Sequence, residues 1–354
     1  MLSPKIYYEL SSERTSDEAS VMKPEDRLVV ARKGIMSVSS ERSLTTAPRC
    51  VIVTENVSEI LRFAADGVRG GCALVTLVGI RGGAARSIGA QMAVHADGTY
   101  CGFVSGGCTE AAVAAEAVEA IHAGADRFLT LGAGSPFIDI ALPCGGGITL
   151  AIHVLRSKRT LEAIVKNITG RRSVALVFDP ALQMMTAVHD SGISGWREGR
   201  FFRVFRPRLR ILLGGNGVEA ETLLRLATGA DVEVTRIDEA NGSLRPMIDE
   251  ETAVILLYHD IERERALLET ALASRALYIG ALGSQTTHNK RRAELMRAGY
   301  KELDVDRVKG PIGLFKTKNS CALAISILGE VVGVYEKHIE GNEAKTPDDQ
   351  SGQL

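Results

Sequence analysis

The 354-residue sequence has no surplus of charge of either sign, because 42 lysines and arginines face 43 aspartates and glutamates for a net charge of −1. Such a chain has no general field that attracts nucleic acid or an acidic membrane surface, so we expect neither as a partner. No apolar run reaches the roughly 18–20 residues that a membrane-spanning helix needs. Residues 1–20 also lack the apolar segment of a secretory signal, so we expect a cytoplasmic protein.

None of the six cysteines belongs to a Cys-x-x-Cys pair, which argues against a structural zinc site. A reducing cytosol also argues against disulfides. We therefore expect most of the cysteines to be small buried residues. Cys108 and Cys144 differ from the others because each adjoins a run of glycines, in Ser105-Gly106-Gly107-Cys108 and in Cys144-Gly145-Gly146-Gly147.

The pattern of apolar residues and turn residues divides the chain into two folded parts with polar ends. Residues 1–47 are predicted to be a disordered extension and residues 339–354 a disordered tail. Residues 48–200 are predicted to form an α+β domain with a connecting segment. In residues 201–338 strands alternate with helices, which predicts a Rossmann-like domain with a parallel sheet and the α/β class for the whole chain.

An arginine-rich segment, Arg200–Arg210, stands where the second part begins. Short runs of like charge are usually solvated faces or loops. We therefore predict a solvated loop that leads into a strand, with a phosphate or partner contact as the alternative.

The motif Gly215-x-Gly217-x-x-Ala220 follows a predicted strand and opens a predicted helix. The first glycine allows a tight turn, the second lets a phosphate approach the backbone, and the small third residue lets the helix pack on the sheet. Asp238 ends the next predicted strand, about 20 residues on, where an acidic side chain can bind a ribose hydroxyl. The motif predicts a nucleotide-binding turn, and an empty site on the same fold stays open as the alternative.

The two glycine–cysteine segments and a third loop are the other candidate sites. Gly106 and Gly107 stand at a predicted strand-to-helix junction, where glycine allows positive φ and a close approach to the backbone. A helix N-terminus lowers the pKa of a cysteine, and the resulting thiolate is a soft ligand for metals. The loop Gly79–Gly89 contains Arg81 and Arg86, whose guanidinium groups suit phosphate. Ordinary turns without a ligand remain the alternative for each.

In combination these segments resemble the XdhC/CoxI family. The resemblance covers roughly residues 55–335, in the family's order. The sequence departs from the family at Val218, where a histidine usually follows the glycine turn, and at Ala85, where a proline is frequent. The matching segments are Gly82–Met92, Gly102–Glu110, Cys144-Gly145-Gly146, Gly215-Asn216-Gly217, Tyr278–Ser284 and Ala324–Glu330.

The resemblance implies an XdhC/CoxI-like N-terminal domain followed by a Rossmann-like domain. It implies an accessory factor that binds the molybdenum cofactor, a molybdopterin, and assists its sulfuration and its insertion into a molybdenum hydroxylase such as xanthine dehydrogenase. The implied partners are the apo-hydroxylase and a cysteine desulfurase, and a homodimer stays open. Matching by position makes Cys108 the first candidate for contact with molybdenum and Cys144 the second, with Gly106, Gly107 and Arg86 as further cofactor contacts.

Gly215, Gly217 and Asp238 are predicted to hold a phosphate or nucleotide part of the cofactor. Two other functions stay open at this point. In an NAD(P)-dependent oxidoreductase the same three residues would bind NAD(P), and His259 would be the acid–base group. An interaction protein without turnover would keep both folds with vestigial sites. The cofactor content of the purified protein and its affinity for NAD and NADP distinguish the three functions.

Overall fold

A computed structural model of the chain describes residues 47–107, 109–132, 145–190, 192–237 and 244–343. The predicted extension, except for its last residue, and residues 344–354 of the predicted tail lie outside the described residues. The chain divides into two compact units. The first unit runs up to Glu162 and includes Val177–Thr186 and Ser194–Phe202; the second comprises Ala163–Leu176, Ala187–Ile193 and the chain from Arg203 onward.

The first unit contains a six-stranded sheet and two helices. The strands are β1 Arg49–Ile52, β2 Cys72–Arg81, β3 Gln91–His95, β4 Thr99–Gly102, β5 Arg127–Gly132 and β6 Gly147–Val154, and the helices are α1 Val57–Gly67 and α2 Glu110–Ala123. The strand order is β1-β4-β3-β2-β6-β5. Every pair is antiparallel except β1 with β4, which confirms the predicted α+β architecture.

Local sequence signals account for the elements that begin this sheet. The side chain of Asn56 accepts hydrogen bonds from the backbone N–H groups of Ser58 and Glu59, and so caps α1. Between β3 and β4, the Asp97 carboxylate accepts hydrogen bonds from the backbone N–H and the hydroxyl of Thr99. Gly98 completes the turn at φ +82°. This Asp-Gly sequence is typical of a tight hairpin turn.

The directions of the strands place the glycine-rich loops at the same end of the strands in this sheet. In β2 and β6, Arg81 pairs with Gly147, and in β5 and β6, Gly132 pairs with the same residue. Because β4 runs parallel to β2, its end at Gly102 and the start of α2 at Glu110 lie on the same side. The chain therefore leaves β2 and β4, and enters β6, at this end of the strands.

A four-stranded sheet and helix α3, Arg159–Thr169, follow in the chain. The sheet has the order β8-β7-β10-β9, and its strands are β7 Val174–Asp179, β8 Met184–Val188, β9 Gly195–Arg197 and β10 Arg200–Phe205. The predicted solvated loop at Arg200–Arg210 is wrong for its first six residues. In β10 the side chains of Phe201, Val204 and Phe205 are buried, and burial of large apolar side chains outweighs the preference of the neighbouring arginines for solvent.

The second unit contains a five-stranded sheet of the order β12-β11-β13-β14-β15. All four strand pairs are parallel, which confirms the predicted parallel sheet. The strands are β11 Arg210–Gly214, β12 Glu233–Ile237, β13 Thr252–Leu256, β14 Tyr278–Ala281 and β15 Val308–Lys309. The chain leaves β11 for β12 and returns to β13 on the other side of β11. In open α/β sheets ligands bind beyond the carboxyl ends of the strands at such a reversal.

The described part of this unit also contains the α-helices α4 Val218–Gly229, α5 Ile261–Leu272, α6 Gln285–Arg297, α7 Glu302–Val305 and α8 Ser320–Glu343. Helix α8 runs to Glu343, past residue 339, where the disordered tail was predicted to begin. Within the part of the chain that the structure describes, no helix has the length and apolar character of a membrane span.

A buried ion pair joins α5 to α6 in this unit. Glu264 and Arg291 are 0% and 2% exposed, and their side chains contact each other directly. Arg291 also donates a hydrogen bond to the carbonyl oxygen of Leu282 at 2.8 Å. Burial raises the pKa of Glu264, and the hydrogen bond and charge of Arg291 oppose this shift. Each residue depends on the other, because a buried charge without a partner is strongly unfavourable.

The substitution Glu264→Ala should therefore lower the free energy of unfolding by about 3–5 kcal/mol, since it leaves Arg291 charged and buried without its partner. Glu250→Ala is the matched control, because Glu250 pairs with Arg275 on the exposed surface and such pairs contribute at most about 1 kcal/mol. Urea denaturation of both variants measures the difference. Equal losses in the two variants would contradict this role of the buried pair.

Candidate functional site

Three loops of the first unit meet at one end of the strands of the six-stranded sheet. A Cβ built on Gly146 would overlap the carbonyl oxygen of Gly83, and would lie 2.7 Å from that of Arg81. A Cβ built on Gly106 would lie 3.2 Å from the Cβ of Ala85. The segment Gly82–Gly89 thus packs against both Ser105–Gly107 and Gly145–Gly146, and we call these three segments the three-loop cluster.

Gly106 and Gly107 have the backbone geometry that the sequence predicts for them. Their φ angles are +91° and +108°, a region that residues with a Cβ rarely adopt. Both residues are exposed. The backbone on this side of the cluster is consequently open to solvent and not covered by side chains.

Glu110 holds the loop that precedes α2. Its carboxylate accepts hydrogen bonds from the N–H groups of Val104 at 3.1 Å, Ser105 at 2.8 Å and Thr109 at 3.2 Å, and from the Ser105 hydroxyl at 2.8 Å. The residue is 1% exposed. Burial opposes ionisation, but these hydrogen bonds, first those from Ser105, hold the pKa of Glu110 below its ordinary value. The carboxylate therefore organises the loop from within.

Two buried polar atoms near the cluster have no hydrogen-bond partner among the described residues: Nε of Arg86 and Oγ1 of Thr109. Another nitrogen of Arg86 forms an ion pair with Glu55 at 2.5 Å. Arg81 instead donates a hydrogen bond to the Thr149 hydroxyl at 2.9 Å. Unsatisfied buried polar groups are rare in native proteins, so these two atoms are candidates for contact with a ligand or water.

The two cysteines predicted to contact the cofactor, Cys108 and Cys144, lie outside the described residues. Their chain neighbours Gly107 and Gly145 belong to the three-loop cluster. Two other cysteines of this unit are poor candidates for a thiolate ligand, because burial raises the pKa of Cys72 to about 12 and that of Cys101 to about 11. Among the described side chains, no three carboxylate, histidine or cysteine groups are placed to hold a metal ion.

The glycine turn of the second unit has the predicted strand–turn–helix form. Gly215 has a φ of +110°, and a Cβ on it would lie 2.6 Å from the carbonyl oxygen of Leu257. Gly217 is the N-cap residue of α4. Asp238, the predicted ribose contact, lies outside the described residues. The turn therefore stands beyond the carboxyl ends of β11 and β13, at the reversal of strand order.

A carboxylate that the sequence analysis did not select lies over this turn. The two side-chain oxygens of Glu219 would be 2.5 and 3.1 Å from a Cβ on Gly217. Glu219 is 7% exposed, and no described residue forms a hydrogen bond with its Oε1. His259, whose side chain is 84% exposed, lies with its Nε2 3.5 Å from that oxygen. The position of Glu219 in the first turn of α4, two residues after Gly217, was the available signal.

Comparison with known proteins agrees with both halves of this description. Residues 211–331 match the XdhC Rossmann domain and residues 68–132 match the XdhC and CoxI family. Over 292 residues the chain is 43% identical to the molybdenum cofactor insertion chaperone PaoD of Escherichia coli strain K12. The aligned residues cover 81% of this chain and 91% of that protein. The chain belongs to the XdhC and CoxI family. The resemblance stated from the sequence is thereby confirmed.

A solved structure supports the fold of this XdhC and CoxI family member. The protein, from Bacillus halodurans and described as a xanthine dehydrogenase, has a TM-score of 0.65 and 19% identity to this chain. The similarity covers 82% of this chain and 98% of that one. It confirms the predicted order of an α+β domain followed by a Rossmann-like domain. The assignments of individual site residues remain predictions.

The substitution Glu110→Gln should lower the free energy of unfolding at pH 7 by about 1–3 kcal/mol, because the amide nitrogen would face N–H and O–H donors. Above pH 4.5, the ordinary pKa of glutamate, this difference from the unsubstituted protein should be constant. As the pH falls through the lowered pKa of Glu110, protonation removes the same acceptor and the difference should narrow. Urea denaturation at a series of pH values tests both statements.

Glu119→Gln is the matched control, because Glu119 lies on the same helix and is exposed. It should change the free energy of unfolding by less than about 0.5 kcal/mol at every pH. A difference between the Glu110→Gln variant and the unsubstituted protein that does not vary with pH below 4.5 would refute the assigned ionisation of Glu110.

Proposed function

We propose that the chain binds the molybdenum cofactor and inserts it into the apo-form of a molybdenum hydroxylase. The observation that carries the proposal is the three-loop cluster. It contains the chain neighbours of Cys108 and Cys144 and lies at one end of the strands of the first unit's sheet. The relative named as a molybdenum cofactor insertion chaperone supports the same function. A site that must release its ligand to another protein needs open access, and Gly106 and Gly107 are exposed.

The residues of the cluster fit the chemical groups of this cofactor. Its phosphate suits backbone N–H groups and a guanidinium nitrogen, and the buried Nε of Arg86 lacks a partner. Glu110 takes the N–H groups of Val104, Ser105 and Thr109, and we assign those of Gly106 and Gly107 to the ligand. Thiolates suit the soft metal, which we assign to Cys108 first and Cys144 second. When bound, the cofactor supplies the metal centre that the target hydroxylase uses.

The proposal includes assistance with sulfuration. A terminal sulfur ligand has to come from a donor, and we propose a cysteine desulfurase as the second partner. Thiolates exchange sulfur with other sulfur compounds, and their reactivity depends on the thiolate fraction and on access. We assign to Cys108, which adjoins the exposed Gly107, the acceptance of this sulfur. Its thiolate attacks the outer sulfur of a cysteine persulfide on the desulfurase, a new S–S bond forms on Cys108, and the desulfurase cysteine leaves as a thiolate. A homodimer stays a prediction.

The geometry of the second unit disfavours the NAD(P)-dependent oxidoreductase. A dinucleotide turn accepts the pyrophosphate where its second glycine leaves room above the backbone. In this protein the Glu219 carboxylate lies in that place. A pyrophosphate bound there would be in contact with this carboxylate, and the two negative charges would repel each other. The insertion function therefore has the better structural support.

Protein co-expressed with molybdenum cofactor synthesis should retain molybdenum and pterin, and Cys108→Ala should reduce both at least tenfold because it removes the assigned metal contact. Cys144→Ala should give a smaller loss. Cys321→Ala is the control, because Cys321 is an exposed cysteine of the second unit and should retain full occupancy. Molybdenum is measured by mass spectrometry and pterin by fluorescence after oxidation. Unchanged occupancy in the Cys108→Ala protein would remove that residue's role.

Gly146→Ala tests whether the contact between the loops shapes the site. The added methyl group would overlap the Gly83 carbonyl and separate two of the three loops, so retained molybdenum should fall at least tenfold. Gly195→Ala is the control in the same unit, because a Cβ there meets no atom within 4 Å. Equal molybdenum content in the two variants would show that the cluster does not form the site.

A further inference from the structure

The turn after β11 contains an anion of the protein's own where nucleotide-binding turns accept one from a ligand. Helix N-termini with glycine turns bind phosphate through free N–H groups and the helix dipole. Here both oxygens of the Glu219 carboxylate face the space above Gly217, at 2.5 and 3.1 Å from the position of a Cβ. A phosphate that approached this glycine would meet the carboxylate first. The turn is consequently unsuited to a phosphate.

The same carboxylate is suited to a hydrogen-bond donor. Glu219 is 7% exposed, and among the described residues its Oε1 has no hydrogen-bond partner, which is costly for a buried charged group. The neighbouring His259 Nε2 lies 3.5 Å away, and the His259 side chain is 84% exposed, so little packing opposes its displacement. A ligand that brings N–H groups to this carboxylate would satisfy it and keep the two oxygens in place.

The surroundings of the carboxylate favour a flat ligand. Gly217 contributes no side chain above the turn, and Val218 beside it presents an apolar side chain that is 65% exposed. Planar heterocycles have apolar faces and polar edges, and pockets recognise them by apolar contact with a few directed polar groups. Two adjacent N–H donors on such an edge match the two oxygens of one carboxylate, as guanidinium–carboxylate pairs do.

We propose that Glu219 at the glycine turn of the second unit binds the amino–amide edge of a 2-amino-4-oxopyrimidine ring, the edge that pterins and guanine share. Its N3–H and 2-amino group donate to the two carboxylate oxygens, and Val218 contacts a face of the ring. The choice of ring rests on the proposed function, because the molybdenum cofactor contains a pterin. The binding of the edge itself requires only the second unit.

The experiment is a titration of the full chain with pterin and with lumazine, which has an oxygen in place of the 2-amino group. The unsubstituted protein should bind pterin at least tenfold more tightly than lumazine. Glu219→Gln should weaken pterin binding at least tenfold and abolish the discrimination, because its amide nitrogen opposes one of the two donors. Ligand fluorescence measures both affinities. A third arm with guanosine separates a pterin site from a guanine site.

Glu221→Gln is the matched control. Glu221 lies in the same turn of α4 but pairs with Arg236 and Arg225 on the surface, so pterin binding should not change. Inorganic pyrophosphate is the second probe: it should bind the Glu219→Gln variant at least tenfold more tightly than the unsubstituted protein. This gain also shows that the variant is folded.

The inference is overturned if pterin binds the Glu219→Gln variant as tightly as the unsubstituted protein, or if that protein does not distinguish pterin from lumazine. Either outcome leaves the insertion function intact where Cys108→Ala still lowers the molybdenum content. Conversely, full molybdenum content in the Cys108→Ala and Gly146→Ala proteins would count against the proposed cofactor site without affecting a measured preference for pterin. The two proposals therefore fail separately.

Discussion

No side chain fits between Gly146 and the carbonyl oxygen of Gly83, and the candidate cofactor site depends on this close approach of two backbones. It joins the loop that follows β2 to the segment that precedes β6. Arg81, the last residue of β2, pairs with Gly147, the first residue of β6. Backbones that approach so closely expose N–H and carbonyl groups and no side chains, which is how proteins bind phosphate and flat ligands. The paired strands of the six-stranded sheet hold the ends of these loops in place.

The two units place a glutamate in the first turn of a helix in opposite ways. Glu110 at α2 accepts four hydrogen bonds and stabilises its own loop. Glu219 at α4 lies over a glycine turn, and one of its oxygens has no hydrogen bond within the described part of the chain. A satisfied carboxylate has little to gain from a ligand, whereas an unsatisfied buried one gains the hydrogen bonds that it lacks. Glutamates in the first turns of two helices thus support a structural role in one unit and a binding role in the other.

Sequence periodicity was sufficient for most of this fold, because its signals are local. Asn56 caps α1, Asp97 and Gly98 turn the β3–β4 hairpin, and alternating strands and helices predicted the parallel sheet. The strand Arg200–Phe205 was missed because its arginines resemble a solvated loop until Phe201 is seen to be buried. The contact of Gly146 with Gly83 could not be predicted, since it joins loops more than 60 residues apart. The same limit applies to the carboxylate of Glu219, whose direction depends on side-chain geometry.

The departure from the family at Val218 acquires a physical meaning from its neighbour. A histidine there would bring a polar ring to the mouth of the turn, whereas Val218 brings an apolar surface that is 65% exposed. A single exposed apolar side chain is ordinary on a protein surface, so the burial of the Glu219 carboxylate is the stronger observation at this turn. Val218 adds an apolar surface beside that carboxylate, and the two together suit a ligand with an apolar face and a donor edge.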